Sequence, residues 1–173
     1  SKKELINLIK NELKEIKDPL EIFPDRKNSK GLDLNEENNI ILFSKLGFLK
    51  DISANSIVCG EEITSNTFSN IVSPHSKNNI IGRVFFADNK LVEEALLSLS
   101  SYSEVWKNED FNKRIKIVNS FADLLEENYH QLVTACVKEA GKTIEDSVAD
   151  IREAVDFCRY YVLLSKDLFK EIL

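Results

Sequence analysis

Between positions 144 and 162 the apolar side chains recur at alternating steps of four and three: Ile144, Val148, Ile151, Val155, Cys158 and Val162. A helix gathers such positions onto one stripe, whereas a strand would scatter them over two faces. The segment is therefore predicted to be a long amphipathic helix, running toward the C-terminus, that must lay its stripe on something. The rest of the chain offers little to compete with helix. Five glycines and three prolines among 173 residues leave few positions for tight turns or bulges. Collagen-like, linker-like and turn-dense all-β chains are thereby excluded. The expected class is mainly α with a small β-hairpin.

The remaining segments fill in that outline. Residues 2–17 read as a helix with Leu5, Ile6, Ile9, Leu13 and Ile16 on one stripe, stopped at Asp18-Pro19. Residues 23–31 are polar and loop-like. Asn35 is expected to cap a second helix that carries Ile40, Ile41, Phe43, Leu46 and Leu49. Residues 53–70, rich in Ser, Asn and Thr, show only weak periodicity. The apolar runs at 68–72 and 80–86 flank a turn-rich connection, residues 73–79, which predicts a β-hairpin. A lone hairpin needs a surface to rest on.

From Asp88 onward the reading is helical. Asp88 caps a stripe of Leu91, Val92, Ala95, Leu96 and Leu99. Asp110 caps the next, with Ile115, Val118, Phe121, Ala122 and Leu125. A further helix carries Leu132, Val133, Cys136 and Val137 and ends at Gly141, where a left-handed cap costs glycine nothing. Thr143 and Asp146 resemble a weakened capping box that opens the last helix. The organisation expected is N-terminal helices and a linker-like stretch over 1–60, short strands over 61–87, and a helical segment over 88–173.

Charge and cysteine usage narrow the function classes. A net charge of −6 and a pI of about 5.1 argue against a nucleic-acid partner or an anionic membrane surface. The apolar runs at 40–43 and 162–164 are far shorter than the ~20 residues a bilayer demands, so no transmembrane segment is expected. The N-terminus opens into an amphipathic pattern with acids mixed in, unlike a signal peptide. Cys59, Cys136 and Cys158 are an odd set without C-x-x-C spacing, which points to free, mostly buried thiols in a reducing cytoplasm. His75 and His130 lie far apart, and no zinc site is expected.

Candidate chemistry is sparse. Gly141-Lys142-Thr143 echoes the end of a phosphate loop, but a helix precedes it where that loop needs a strand, so a helix–Gly–helix joint is the favoured reading. No G-x-G-x-x-G is present. Cys59, beside Gly60, has no neighbour to lower its pKa and reads as packing before nucleophile. Cys136 and Cys158 read as core. His130 suits a surface or capping role, and His75 has no partner in view. In the acid-rich last helix, Asp150 and Glu153 share a face. Either that face is simply solvated, supported by Arg152 and Arg159, or it and Arg159-Tyr160-Tyr161 pack against a larger protein.

Glu139-Ala140-Gly141-Lys142-Thr143, followed by Ile151-Arg152-Glu153-Ala154-Val155-Asp156-Phe157-Cys158-Arg159-Tyr160-Tyr161, resembles a signature of the aldehyde dehydrogenase superfamily. In detail it is similar to the 1-pyrroline-5-carboxylate dehydrogenase half of bifunctional proline utilization (PutA-type) proteins. Residues 26–34 resemble the approach to that module, residues 70–74 and 81–84 its early strands, and Trp106 with Arg114 its tryptophan–arginine stretch. The resemblance covers roughly residues 26–165.

That resemblance implies the N-terminal helical portion of an α/β aldehyde dehydrogenase fold without the nucleotide-binding Rossmann part. It also implies the oxidation of glutamate semialdehyde to glutamate in proline catabolism, through a cysteine thioester and hydride transfer to NAD⁺. The nucleophilic cysteine, the general-base glutamate and the NAD site belong beyond the matched portion. No catalytic, cofactor-binding or metal-binding residue is therefore assigned here, and Cys158 is not the nucleophile. NAD is implied for the complete parent enzyme only. Glu153 matches a position bordering the substrate channel, and Ala149, one turn earlier, matches another. The chain alone is expected to be inactive and to pair with the missing catalytic half or with itself. The alternative is a non-catalytic helical interaction module, or one half of a split enzyme.

Overall fold

A computed structural model of the chain describes residues 3, 6, 21–45 and 52–170. Apart from residues 3 and 6, the helix predicted over 2–17 lies outside the described residues, as do Leu46 and Leu49. Helix α1 (Glu37–Lys45) opens the described order. Five strands follow: β1 (Ile52–Ala54), β2 (Ser56–Val58), β3 (Glu61–Ile63), β4 (Phe68–Ser73) and β5 (Ser76–Phe85). Four helices complete it: α2 (Asn89–Lys107), α3 (Phe111–Glu127), α4 (Tyr129–Ala140) and α5 (Ile144–Lys170). The class is mostly helical with small sheets, as expected.

Local chemistry explains most helix boundaries. Asp88 accepts a 2.8 Å bond from the Leu91 N–H, and Asp110 a 3.0 Å bond from the Lys113 N–H, so both satisfy donors the first turn leaves unpaired. Gly141 closes α4 at φ +70, the left-handed conformation that disfavours a side chain. Thr143 accepts from the Asp146 N–H and donates its hydroxyl to the Asp146 carboxylate. Asn35 does not cap α1: the helix starts at Glu37, and the Asn35 backbone and amide nitrogens both bond Asp33 Oδ1 instead. A carboxylate two residues upstream outcompeted the helix end.

The strands are more numerous than one hairpin. β4 and β5 pair antiparallel across a two-residue turn, Pro74-His75, so residues 76–79 belong to β5 and not to the loop. β1 runs parallel to β5 with Ile52 opposite Gly82. A Cβ on Gly82 would fall 2.5 Å from the Ile52 carbonyl oxygen, so only glycine admits this pairing. β2 and β3 form a separate hairpin whose two turn residues, Cys59 (φ +55) and Gly60 (φ +82), are both left-handed. Two positive-φ residues match the twist of a two-residue hairpin.

Helix α5 lies along α3 and α4. Its inner face buries Ser147, Val148, Ile151, Val155, Arg159 and Val162. Ala122 of α3, Val133 of α4, and Ser147 and Val155 of α5 are fully buried; small side chains let the three helices approach closely. Each fully buried valine or isoleucine stabilises the packing by about 1.5–3 kcal/mol. Leu32, Leu34 and Phe43 cover the core formed by Tyr129, Val133, Val148 and Ile151. The sheet meets this bundle where Pro74 abuts Gly141 and the Val137 carbonyl lies 3.3 Å from His75 Nε2.

Candidate functional site

The inner face of α5 is committed to the core, which leaves Ala149, Arg152, Glu153, Asp156, Phe157 and Tyr160 on the opposite side. Their spacing of three and four sets them in one row. They form one wall of a cleft of about 520 Å³, and Phe23 and Arg26 from the segment preceding α1 form the other. Both channel positions inferred from sequence, Ala149 and Glu153, thus line the same cavity and are exposed within it.

The second wall is held by aromatic and polar contacts. The Phe23 and Tyr160 rings meet edge-on at 5.6 Å, and the Arg26 guanidinium lies 4.9 Å from the Phe23 ring centre. Ser29 is buried and clasped by Asp156, whose Oδ1 accepts from the Ser29 N–H and Oδ2 from its hydroxyl, each at 2.8 Å. Arg152 Nε adds a 3.3 Å bond to the same hydroxyl. One residue on, the Lys30 N–H donates to Glu126 Oε1 at 2.8 Å.

Beneath the clasp sits a buried ion cluster. Arg159, 6 % exposed, reaches Glu126 and Asp123 of α3 and the Asn28 carbonyl. The Arg159 hydrogen bonds, helped by the Lys30 N–H, hold the Glu126 carboxyl down at about 2. These same contacts raise the Arg159 pKa further. One of the two sequence readings set Arg159 on a solvated face and the other against a larger protein; it continues the buried stripe between Val155 and Val162 instead. The sequence carried that signal, since a cation at an apolar stripe position requires buried partners.

Other expectations also change. Asp150 and Glu153 do not act as a pair: Asp150 bonds Lys142, whose pKa rises in consequence, while Glu153 makes no hydrogen bond or ion pair with any described residue. Cys59 is not packed in a core. It is exposed at its hairpin turn, with Sγ 2.8 Å from Ser98 Oγ. His130 is half-buried, its ring against Phe43 at 5.3 Å, and its Nδ1 is buried without a partner among the described residues. It is neither a surface residue nor a cap. Cys136 packs on the core and Cys158 is half-buried. Gly141-Lys142-Thr143 is the helix–Gly–helix joint. Among the described residues no helix is long and apolar enough to cross a membrane.

The pattern that defines the aldehyde dehydrogenase family matches residues 62–173, and the chain belongs to that family. It is 32% identical over 147 residues to the bifunctional protein PutA of Escherichia coli, covering 83% of this chain and 11% of that protein. It is also 32% identical over 105 residues to 1-pyrroline-5-carboxylate dehydrogenase 2 of Halalkalibacterium halodurans, covering 61% of this chain and 20% of the relative. The crystal structure of a Thermus 1-pyrroline-5-carboxylate dehydrogenase with bound NAD superposes with a TM-score of 0.73. That match has 20% identity and covers 79% of this chain and 27% of the other. The fold is that of the N-terminal region of the family. The chain spans between a tenth and a fifth of the curated relatives' length.

Proposed function

We propose that the chain forms the N-terminal part of an NAD-dependent 1-pyrroline-5-carboxylate (glutamate semialdehyde) dehydrogenase of proline catabolism, working in the cytoplasm. In this reading it shapes the approach to the reacting aldehyde and performs no covalent chemistry. The observation that carries it is the convergence of Ala149 and Glu153 on one cleft. Ala149 leaves room for a small substrate, and the unpaired Glu153 carboxylate is free to meet the ammonium group of an amino-acid aldehyde. Phe157 and Tyr160 give that wall an aromatic surface.

NAD supplies the hydride acceptor when bound to such an enzyme. The described residues do not fit it. A dinucleotide cradle needs glycines between a strand and the helix it feeds. Here Gly60 turns a hairpin, Gly82 lies inside β5 and Gly141 ends α4; Gly31 lies in the segment before α1. The cofactor and the nucleophile are assigned in this proposal to the rest of the fold.

The test is NADH formation from glutamate semialdehyde. The chain alone should give none, and joined to a polypeptide carrying the rest of the family fold it should turn over. In that assembly, Glu153→Gln should raise KM more than it lowers kcat. Appreciable turnover by the chain alone would sink this reading. The reading of a non-catalytic interaction module or a split half finds support in one feature, the exposed apolar face of α2.

A further inference from the structure

Beside Glu153 the cleft carries two cations, Arg26 and Arg152. Its other charged side chain, Asp156, is engaged with Ser29 through both oxygens. The two arginines are only partly answered. Arg26 Nη2 donates to Asn28 Oδ1 at 2.9 Å, but its Nε is buried and meets no partner among the described residues. Arg152 gives Nε to the Ser29 hydroxyl and forms no ion pair with any described residue. Idle guanidinium donors beside aromatic rings are unfavourable until an anion meets them. Arg26 is also fixed in advance. Its backbone N–H donates to the Phe23 carbonyl at 3.0 Å, and its guanidinium lies 4.9 Å from the Phe23 ring centre and 5.9 Å from that of Tyr160. A planar fork held this way loses little freedom on meeting a carboxylate, which it can bind through two parallel bonds.

We propose that Arg26 and Arg152 receive the carboxylate of the ligand whose ammonium group meets Glu153, so that the cleft reads both charges of an α-amino acid. The inference rests on the proposed function and names what selects its substrate. An aliphatic aldehyde without these groups leaves both arginines and Glu153 unanswered, and the cleft discriminates against it. Arg26 lies outside residues 62–173, the part that the family pattern matches. Half of this selectivity therefore comes from the segment before α1.

Norvaline has the carbon chain of glutamate semialdehyde without the aldehyde, so it can bind but cannot react. Saturation-transfer NMR titrations of the full chain compare L-norvaline with norvalinamide, which lacks the carboxylate, and pentanoate, which lacks the ammonium group. Norvaline should bind wild type about tenfold or more tightly than either. Arg26→Gln and Arg152→Gln should each weaken norvaline and pentanoate about tenfold and leave norvalinamide unchanged. Glu153→Gln should weaken norvaline and norvalinamide and spare pentanoate. Arg26→Lys, which keeps the charge and loses the fork, should fall between wild type and Arg26→Gln. Lys27→Ser should change nothing, because Lys27 faces Asp123 and Glu126 and does not line the cleft. Thermal melts check that each variant is folded, and the comparison of ligands on wild type needs no variant. No norvaline binding by wild type, equal binding of norvaline and its amide, or an Arg26→Gln loss that the amide shares overturns the inference. If the discrimination holds while the joined enzyme forms no NADH, the dehydrogenase reading fails and the amino-acid site stands.

Discussion

Arg159 meets Glu126 as a fork on a fork: Nη1 lies 3.1 Å from Oε1 and Nη2 2.9 Å from Oε2. Both side chains are nearly closed to solvent, at 6% and 9% exposure. A buried pair of this kind is worth little against an apolar replacement of both members, but breaking it strands a charge. Arg159→Leu should therefore destabilise the chain by about 3 kcal/mol. Arg159→Leu with Glu126→Leu should recover much of that loss. Urea unfolding of the three proteins measures both.

The same pair sets an acid limit. Glu126 titrates at about 2 in the fold against an ordinary 4.5. A carboxylate depressed on folding contributes stability that is full above its unfolded pKa and disappears as pH falls through its folded one. The Glu126 contribution should be constant from pH 7 to about 5 and be lost between about 4.5 and 2. Glu126→Gln should be less stable than wild type at pH 6 and converge with it near pH 2. Denaturation midpoints across that range give the answer, and a gap that stays constant would refute the assignment.

Two glycines separate backbone strain from steric contact. Gly60 is left-handed with open space around it, so Gly60→Ala should cost about 1 kcal/mol for conformation alone. Gly141 is left-handed too, but a Cβ there would sit 2.8 Å from the Pro74 ring, so one of the two must shift. Gly141→Ala should cost about 2–3 kcal/mol. It should also speed amide exchange in the β4–β5 turn, because Pro74 and His75 pin the sheet to α4 there.

Neighbouring acids of the cleft should differ in kind. Asp156→Ala leaves the buried Ser29 without partners for its N–H and should destabilise by about 2 kcal/mol. Glu153→Ala removes an exposed, unbonded carboxylate and should stay within about 0.5 kcal/mol of wild type. Thermal unfolding of the two variants, set beside KM in the assembled enzyme, distinguishes a scaffold acid from a substrate-facing one.

What could be read in advance was local. Asp88, Asp110 and Gly141 each act on the turn beside them, and their roles were legible from a few residues of context. The long stripe of α5 declared its helix by period alone. Strands β1, β2 and β3 span three residues each, too short for alternation to register, and β1 exists only because a distant Gly82 admits it. The stripe of α2 told that the helix is amphipathic but not that none of its residues is buried among the described elements. Phe23 and Arg26 complete the cleft from over a hundred residues away, a juxtaposition that no spacing rule contains.

The clasp of Ser29 by Asp156 joins positions 127 residues apart. Closing so long a loop is entropically slow, and the receiving carboxylates exist as a site only once α3 and α5 have met. The segment bearing Phe23 and Arg26 is thus expected to dock late, onto a platform already formed. In that order the cleft gains its second wall only after the bundle has formed.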